Sequence, residues 1–165
     1  MSQELIEAVI VDLDGTLADV VPVRHLVAKR PPEFRAGGKR DFEAFHRYAC
    51  TEAAPIEATV ASVRRHYAEG TMVLLVSGRL AKWRGLTKTW LAAHEVPWHW
   101  LFMRADGDFR PDGVVKREMF EQHISGRYRV VHAYDDRPEI VALWQCLGIP
   151  VTVVPGWVDE QVAPC

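Results

Sequence analysis

The chain has 165 residues, 48% of them hydrophobic and 25% charged, with a formal net charge of −2. Such a length suits one domain that buries about two-thirds of its unfolded surface without disulfides or structural zinc, and it leaves no room for a second catalytic domain. The near-balanced charge excludes a polybasic binding protein, so any basic patch must be local.

The N-terminus lacks the basic region, apolar core and small-residue cleavage site of a secretory leader. The first apolar run, Ala8-Val9-Ile10-Val11, has the continuous hydrophobicity of a strand buried on both faces, and it stops at Asp12-Leu13-Asp14-Gly15-Thr16. From Ala18 to Pro55 comes a stretch too long for an ordinary connection, carrying Pro22, Pro31-Pro32 and Gly37-Gly38. It is rich in Arg24, Lys29, Arg30, Arg35, Lys39, Arg40 and Arg47, and is expected to be a cap-like basic insert.

A helix is predicted at about 56–69, then a strand from Thr71 to Val76 that ends at Ser77-Gly78-Arg79. A helix at about 81–94 and a strand over 98–103 follow. Next come a helix at about 115–123 and a strand over 128–134 that ends at Asp135-Asp136. The last helix, at about 138–147, has Pro138 in its first turn and Gly148 just past its end; a strand over 150–154 completes the set. Five short strands alternating with helices predict an α/β fold with a parallel sheet.

No apolar stretch approaches the ~18 residues needed to span a bilayer, so no membrane partner is expected. Cys50, Cys146 and Cys165 are odd in number and widely spaced, without a C-x-x-C pair. This predicts neither a disulfide framework nor a zinc site, and a cytoplasmic location.

In an extended segment residues i and i+2 share a side, so Asp12 and Asp14 can face one cleft while Leu13 turns into the core. At the strand end, Asp12 is the better nucleophile toward phosphorus, and Asp14, on the turn, can protonate a leaving oxygen and later activate water. Gly15 permits the sharp turn and Thr16 can buttress it. If the strands are parallel, Asp135 and Asp136 reach the same edge. Like charges ~4 Å apart repel by about 4 kcal/mol at an effective dielectric near 20, so four converging carboxylates call for a cation or shared protons, and all-oxygen ligation favours Mg²⁺. Donors for a phosphate are Ser77, the Gly78 amide, Lys116 and the Arg79 fork.

These motifs, in this order, resemble the haloacid dehalogenase superfamily: Asp12-x-Asp14-Gly15-Thr16, Ser77, Lys116 and Asp135-Asp136 match its four motifs. The resemblance implies a Rossmann-like sheet of order 5-4-1-2-3, an aspartyl-phosphate on Asp12, acid/base action by Asp14, and Mg²⁺ held by Asp12, the Asp14 carbonyl and one or both of Asp135 and Asp136. Further stretches are similar to the 3'-phosphatase domain of bacteriophage-type polynucleotide kinase/phosphatase: Val76-Ser77-Gly78-Arg79, Gly107-Asp108-Phe109-Arg110-Pro111-Asp112 leading to Val114-Val115-Lys116-Arg117-Glu118, and Asp135-Asp136-Arg137. This likeness implies that Arg79 contacts a substrate phosphate and that Asp112 supports Lys116. Arg24 is the nearest candidate for the family's arginine after the first motif.

The kinase motif G-x-x-x-x-G-K-[ST] is absent. Its nearest string, Arg35-Ala36-Gly37-Gly38-Lys39-Arg40, lacks the first glycine and the hydroxyl residue and is read as a flexible basic loop. The expectation is therefore a single phosphatase domain without kinase activity. Only the position after the first motif is enlarged, since 103–115 is too short for a folded cap, so the cleft could admit a polymer end. Arg79, Lys82, Arg84, Lys88 and Arg104 beside it favour a polyanion. The leading expectation is removal of a 3'-terminal phosphate from DNA or RNA. The alternatives are a small-molecule phosphatase such as a nucleotidase, and a non-catalytic module that binds nucleic-acid ends. Trp83, Trp90, Trp98, Trp100, Trp144 and Trp157 are read mostly as core, Trp83 and Trp90 by their heptad spacing and Trp98 and Trp100 by a shared strand face, and His25, His46, His66 and His132 as structural or exposed.

Overall fold

The computed structural model of the chain describes residues 5–28 and 40–155. The basic string from Lys29 to Lys39, Trp157 and Cys165 lie outside the described residues. Strands β1 (Ile6–Val11), β2 (Met72–Leu80), β3 (Trp100–Arg104), β4 (Tyr128–Asp135) and β5 (Val151–Val153) form one parallel sheet of order β3-β2-β1-β4-β5. This is the expected order read from the other edge.

Both faces of the sheet are covered, which is why β1 and β2 read as unbroken apolar runs. On one side Val9, Val11, Val73 and Leu75 pack against α2 (Glu57–Ala68) and α3 (Arg84–Ala93) through Val60, Val63, Trp90 and Leu91. On the other, Ala8, Ile10, Leu74 and Val76 pack against α4 (Asp112–Met119) and α5 (Pro138–Cys146) through Val115, Met119, Ile140 and Trp144. Alternate residues of each strand thus serve opposite cores.

Register fixes where the strands deliver their ends. Val11 is paired with Leu75 and with Tyr134, so Asp12 lies level with Asp135, and the Asp12 amide donates to the Tyr134 carbonyl at 3.1 Å. The strand β2 does not stop at Ser77-Gly78-Arg79. It continues to Leu80 through a register shift against β3, which turns the Arg79 side chain inward.

The insert is structured where it is described. A short 3₁₀ turn spans Val21–Leu26, and an unanticipated helix, α1 (Phe42–Thr51), follows. The Asp41 carboxylate caps α1 by accepting from the Ala44 amide at 2.9 Å, and Phe45 and Ala49 bury one helix face against Val20. Its neck is closed by hydrogen bonds from Asp19 to Ala54 and from Ile56 to Leu17 (2.8 and 2.7 Å), with Ala18 bridged to Pro55.

Cys50 is a free, buried thiol. No helix among the described residues is long and apolar enough to cross a membrane.

Trp90 shows how the insert is tied to the sheet layer: its indole N–H donates to the Ala53 carbonyl at 2.8 Å from a buried position. Replacing it in Trp90→Phe keeps most of the apolar bulk and removes the donor. The expected loss of stability is about 1–3 kcal/mol, measured by urea unfolding.

Candidate active site

At the carboxyl edge of the sheet, the loop after β1 and the end of β4 bring Asp12, Asp135 and Asp136 together, with one oxygen of each within 4.8 Å of the others. All three are buried. From α4, Lys116 reaches between the strands, and its ammonium donates to Asp12 Oδ1 at 2.8 Å and to Asp135 Oδ2 at 2.9 Å. Burial by itself would drive the proton off Lys116, but the charges of Asp12, Asp135 and Asp112 outweigh it and hold the ammonium above its ordinary range. Burial has the opposite result on Asp12: its carboxyl is pushed up, with Lys116 pulling down and Asp135 and Asp136 adding to the rise.

The remaining contacts orient the acids. Trp144 Nε1 donates to Asp135 Oδ2 at 3.4 Å and the Arg137 amide to Asp135 Oδ1 at 3.2 Å. Thr16 donates to Asp136 Oδ1 at 3.3 Å, and the Arg24 guanidinium stands 4.0 Å from Asp136 Oδ2. Gly15 has φ +87°, and a methyl group on it would overlap the Asp136 carboxylate, so this turn requires glycine twice over. Thr16, read as a buttress of the turn, acts as one through its hydroxyl bond to Asp136.

Asp14 occupies a separate environment. Arg79 grips it with two nitrogens, Nε at 3.2 Å and Nη2 in a shorter contact, while Arg79 Nη1 donates to Thr87 Oγ1 at 2.8 Å and to Cys50 Sγ at 3.0 Å. The expected contact between Arg79 and a substrate phosphate meets an obstacle here, because the residue is 2% exposed and its fork is engaged with Asp14. His46 Nδ1, on α1, lies 3.5 Å from Asp14 Oδ2. Burial works against the charge of Asp14, but Arg79 and then His46 outweigh it, and the carboxyl lies well below the usual carboxylate range.

Ser77 and Gly78 act locally. Ser77 Oγ accepts from the Arg79 amide at 3.1 Å, and the Gly78 carbonyl accepts from Arg104 Nε at 2.8 Å. A side chain at Gly78 would overlap Asp112, which is paired with Arg104 (2.6 Å) and Arg137 (3.7 Å). Asp12, Asp14, Ser77, Gly78, Arg79 and Asp112 line a cavity of about 610 Å³, walled also by α1 and the 104–112 loop. The structure thus brings the acids, Ser77, Gly78, Arg79 and Lys116 to one strand edge, with Thr16 and Arg24 at Asp136; of the basic residues expected beside the cleft, Arg79 and Arg104 line the cavity, whereas Lys82 pairs with Glu43, Arg84 donates to the Leu101 carbonyl and Lys88 lies over Trp98. Sequence reasoning missed His46, Cys50 and Thr87, whose contacts depend on the docking of α1 and α3 and leave no spacing signature.

The family model for the polynucleotide kinase PNKP phosphatase domain matches residues 36–156. Over 144 residues the chain is 28% identical to a protein named as a bifunctional polynucleotide kinase/RNA ligase of Autographa californica nuclear polyhedrosis virus, covering 87% of this chain and 18% of that protein. A solved structure of the Pnkp1/Rnl/Hen1 complex contains a chain similar at 29% identity and a TM-score of 0.74, with 93% of this chain and 47% of that one covered. In the Pnkp1/Rnl/Hen1 RNA repair complex the corresponding values are 30%, 0.72, 92% and 43%. The chain therefore spans less than half the length of these relatives. The class C acid phosphatase from Bacillus anthracis, at 16% identity and a TM-score of 0.62 over 93% of this chain and 68% of that one, shares the fold.

Removing the shared ammonium in Lys116→Met leaves three buried acids facing one another, with an expected loss of about 3–5 kcal/mol at neutral pH. Adding Asp12→Asn should recover part of it. For a carboxyl whose folded value is raised above its ordinary 3.8, the folded state holds the proton longer, so its contribution to stability falls as pH rises through the raised value. The penalty in Lys116→Met should therefore shrink toward acid pH, as urea unfolding at two pH values would read.

Proposed function

Since the chain belongs to the family of polynucleotide kinase PNKP phosphatase domains, we propose that it is a Mg²⁺-dependent phosphoric monoester hydrolase that removes the 3'-terminal phosphate from DNA or RNA. In this reading it works as one phosphatase domain, with the insert over about 18–55 as its cap. The observation that carries the proposal is the buried Lys116 ammonium bonded to both Asp135 and Asp12, the acid that lines the cavity. A relative in an RNA repair complex supports a polynucleotide end as the substrate.

The donor set fits a hard divalent cation: three buried carboxylates converge, one ammonium serves two of them, and no sulfur or imidazole joins them among the described residues. Asp12, Asp135, Asp136 and the Asp14 carbonyl would hold Mg²⁺, which would offset the acid cluster and the phosphate charge. Lys116 holds Asp12 Oδ1 and leaves Oδ2 as the nucleophile. Oδ2 attacks phosphorus, the bond from phosphorus to the sugar oxygen breaks, and that oxygen takes a proton from Asp14. Asp14 then removes a proton from a water whose oxygen attacks phosphorus; the bond to Asp12 breaks and inorganic phosphate leaves.

For its first task Asp14 must carry a proton that Arg79 and His46 oppose. A phosphate dianion entering beside it supplies the like charge that favours the protonated form. Arg79 then serves the reaction through Asp14, fixing its orientation, and Ser77 and Gly78 shape the wall where phosphate would sit.

The test is a panel of a 3'-phosphorylated oligonucleotide, a 3'-mononucleotide and a 5'-phosphorylated oligonucleotide, each with and without Mg²⁺. Release from the first alone, lost on chelation and reduced at least about a thousandfold in Asp12→Asn, is expected. Equal turnover of all three would favour the nucleotidase reading, and no release at all the end-binding module. Independently of activity, Mg²⁺ should raise the melting temperature of the parent protein and have little effect on that of Asp136→Asn.

A further inference from the structure

Aromatic residues near the cavity fall into two groups. Trp83 and Trp90 are buried, as their heptad spacing predicts, Trp144 is buried too, and Phe45 belongs to the core under α1. Phe42 lines the cavity, but the Arg40 guanidinium lies over its ring, 5.3 Å from the centroid. Phe109 differs from all of these. It also lines the cavity, yet it is 89% exposed, and among the described residues no ring or cation contacts it.

Single exposed apolar residues are common and carry no meaning alone. Phe109, however, sits on a turn that is held rigid. One guanidinium, Arg104 Nη1, binds the carbonyls on both sides of it, Asp108 at 3.2 Å and Arg110 at 2.6 Å. Arg110 folds back on Asp108 through its amide (3.0 Å) and Nη2 (2.7 Å), and Nη1 reaches Glu118 at 2.7 Å. Gly107 takes a φ of +80° to start the turn. Arg104 in turn binds the Gly78 carbonyl and Asp112, so the platform is anchored to the wall of the cavity that holds Asp12 and Asp14.

A bare aromatic face in the wall of the cavity that Asp12 and Asp14 also line fits a flat, neutral ring joined to a phosphate at those acids. The acids around it do not repel such a guest, because Asp108, Asp112 and Glu139 are each paired with an arginine. We propose that Phe109 is the stacking platform for the unpaired base of the nucleotide that carries the terminal phosphate, which makes the preferred substrate a single-stranded end. The inference rests on the polynucleotide-end reading above. Base–aromatic stacking of this kind is sequence-tolerant, since every base has a π face.

The experiment compares two 3'-phosphorylated oligonucleotides, one with an ordinary single-stranded end and one whose terminal nucleoside is abasic. The full chain should show a KM about tenfold lower for the base-bearing end, with similar kcat. Phe109→Leu, which keeps apolar bulk without a ring, should bring the two KM values together, and Phe109→Trp should keep them apart. A parent that does not distinguish the ends, or a Phe109→Leu variant that retains the tenfold preference, would overturn the stacking role while leaving the phosphatase reading intact. Parent protein that releases phosphate from neither oligonucleotide would overturn both.

Discussion

The contact on which the rest of this structure depends is the buried ammonium of Lys116 between Asp12 and Asp135. Like charges a few ångströms apart repel by about 4 kcal/mol even at an effective dielectric near 20, and desolvation adds to that cost. The sheet nonetheless delivers three carboxylates to one point, because parallel strands in register end together. The cation from α4 makes the convergence tolerable, and its position ties α4 to β1 and β4. Around it the chain spends a tryptophan N–H, a threonine hydroxyl and a main-chain amide on orienting the same acids. A cluster so fully held cannot open to adapt to a ligand; it presents a preorganised set of oxygens.

The two acids of the first loop receive opposite treatment although only Leu13 separates them. Asp12 is buried among other carboxylates and its proton affinity rises, whereas Asp14 is buried against Arg79 and beside His46 and its proton affinity falls. Extended geometry put both on one side of the chain; tertiary contacts then divided them. The difference comes from which partners each acid meets: Lys116 of α4 and the acids of β4 for Asp12, Arg79 of β2 and His46 of α1 for Asp14.

How much of this could be read from the sequence follows the range of the interactions. The five strands were legible because burial on both faces leaves an unmistakable apolar run, and because acids and glycines mark where each run meets the sheet edge; their order was implied by the family resemblance alone. Asp12, Asp14, Lys116, Asp135 and Asp136 were legible as motifs. The helix α1 was not, since ten residues with a weak boundary follow a stretch rich in proline, glycine and arginine that reads as loop. Nor was the engagement of Arg79, which depends on the way β2 continues past Gly78, nor His46, whose contact with Asp14 spans the neck of the insert. The aromatic reading shifted for the same reason: Trp83, Trp90 and Trp144 lie inside as read, but Trp100, read as core from the strand face it shares with Trp98, is exposed on the edge strand β3, and nothing local marked Phe109 as a residue held outward by an arginine five positions earlier.

The insert is accordingly part of the site's construction. Cys50 and His46 sit on α1, Arg79 on β2 and Thr87 on α3, and the Arg79 guanidinium joins Cys50, Thr87 and Asp14 in one buried knot. Its burial leaves those donors no water to turn to, so each must find its partner across elements that are distant in sequence. If α1 were undocked, Arg79 would lose Cys50, Asp14 would lose His46, and the indole of Trp90 would lose the Ala53 carbonyl. Docking of the insert and shaping of the Asp14 environment are thus one event. The closed neck at Asp19–Ala54 and Leu17–Ile56 makes that event local, because it shortens the effective loop whose ordering must be offset by the contacts formed.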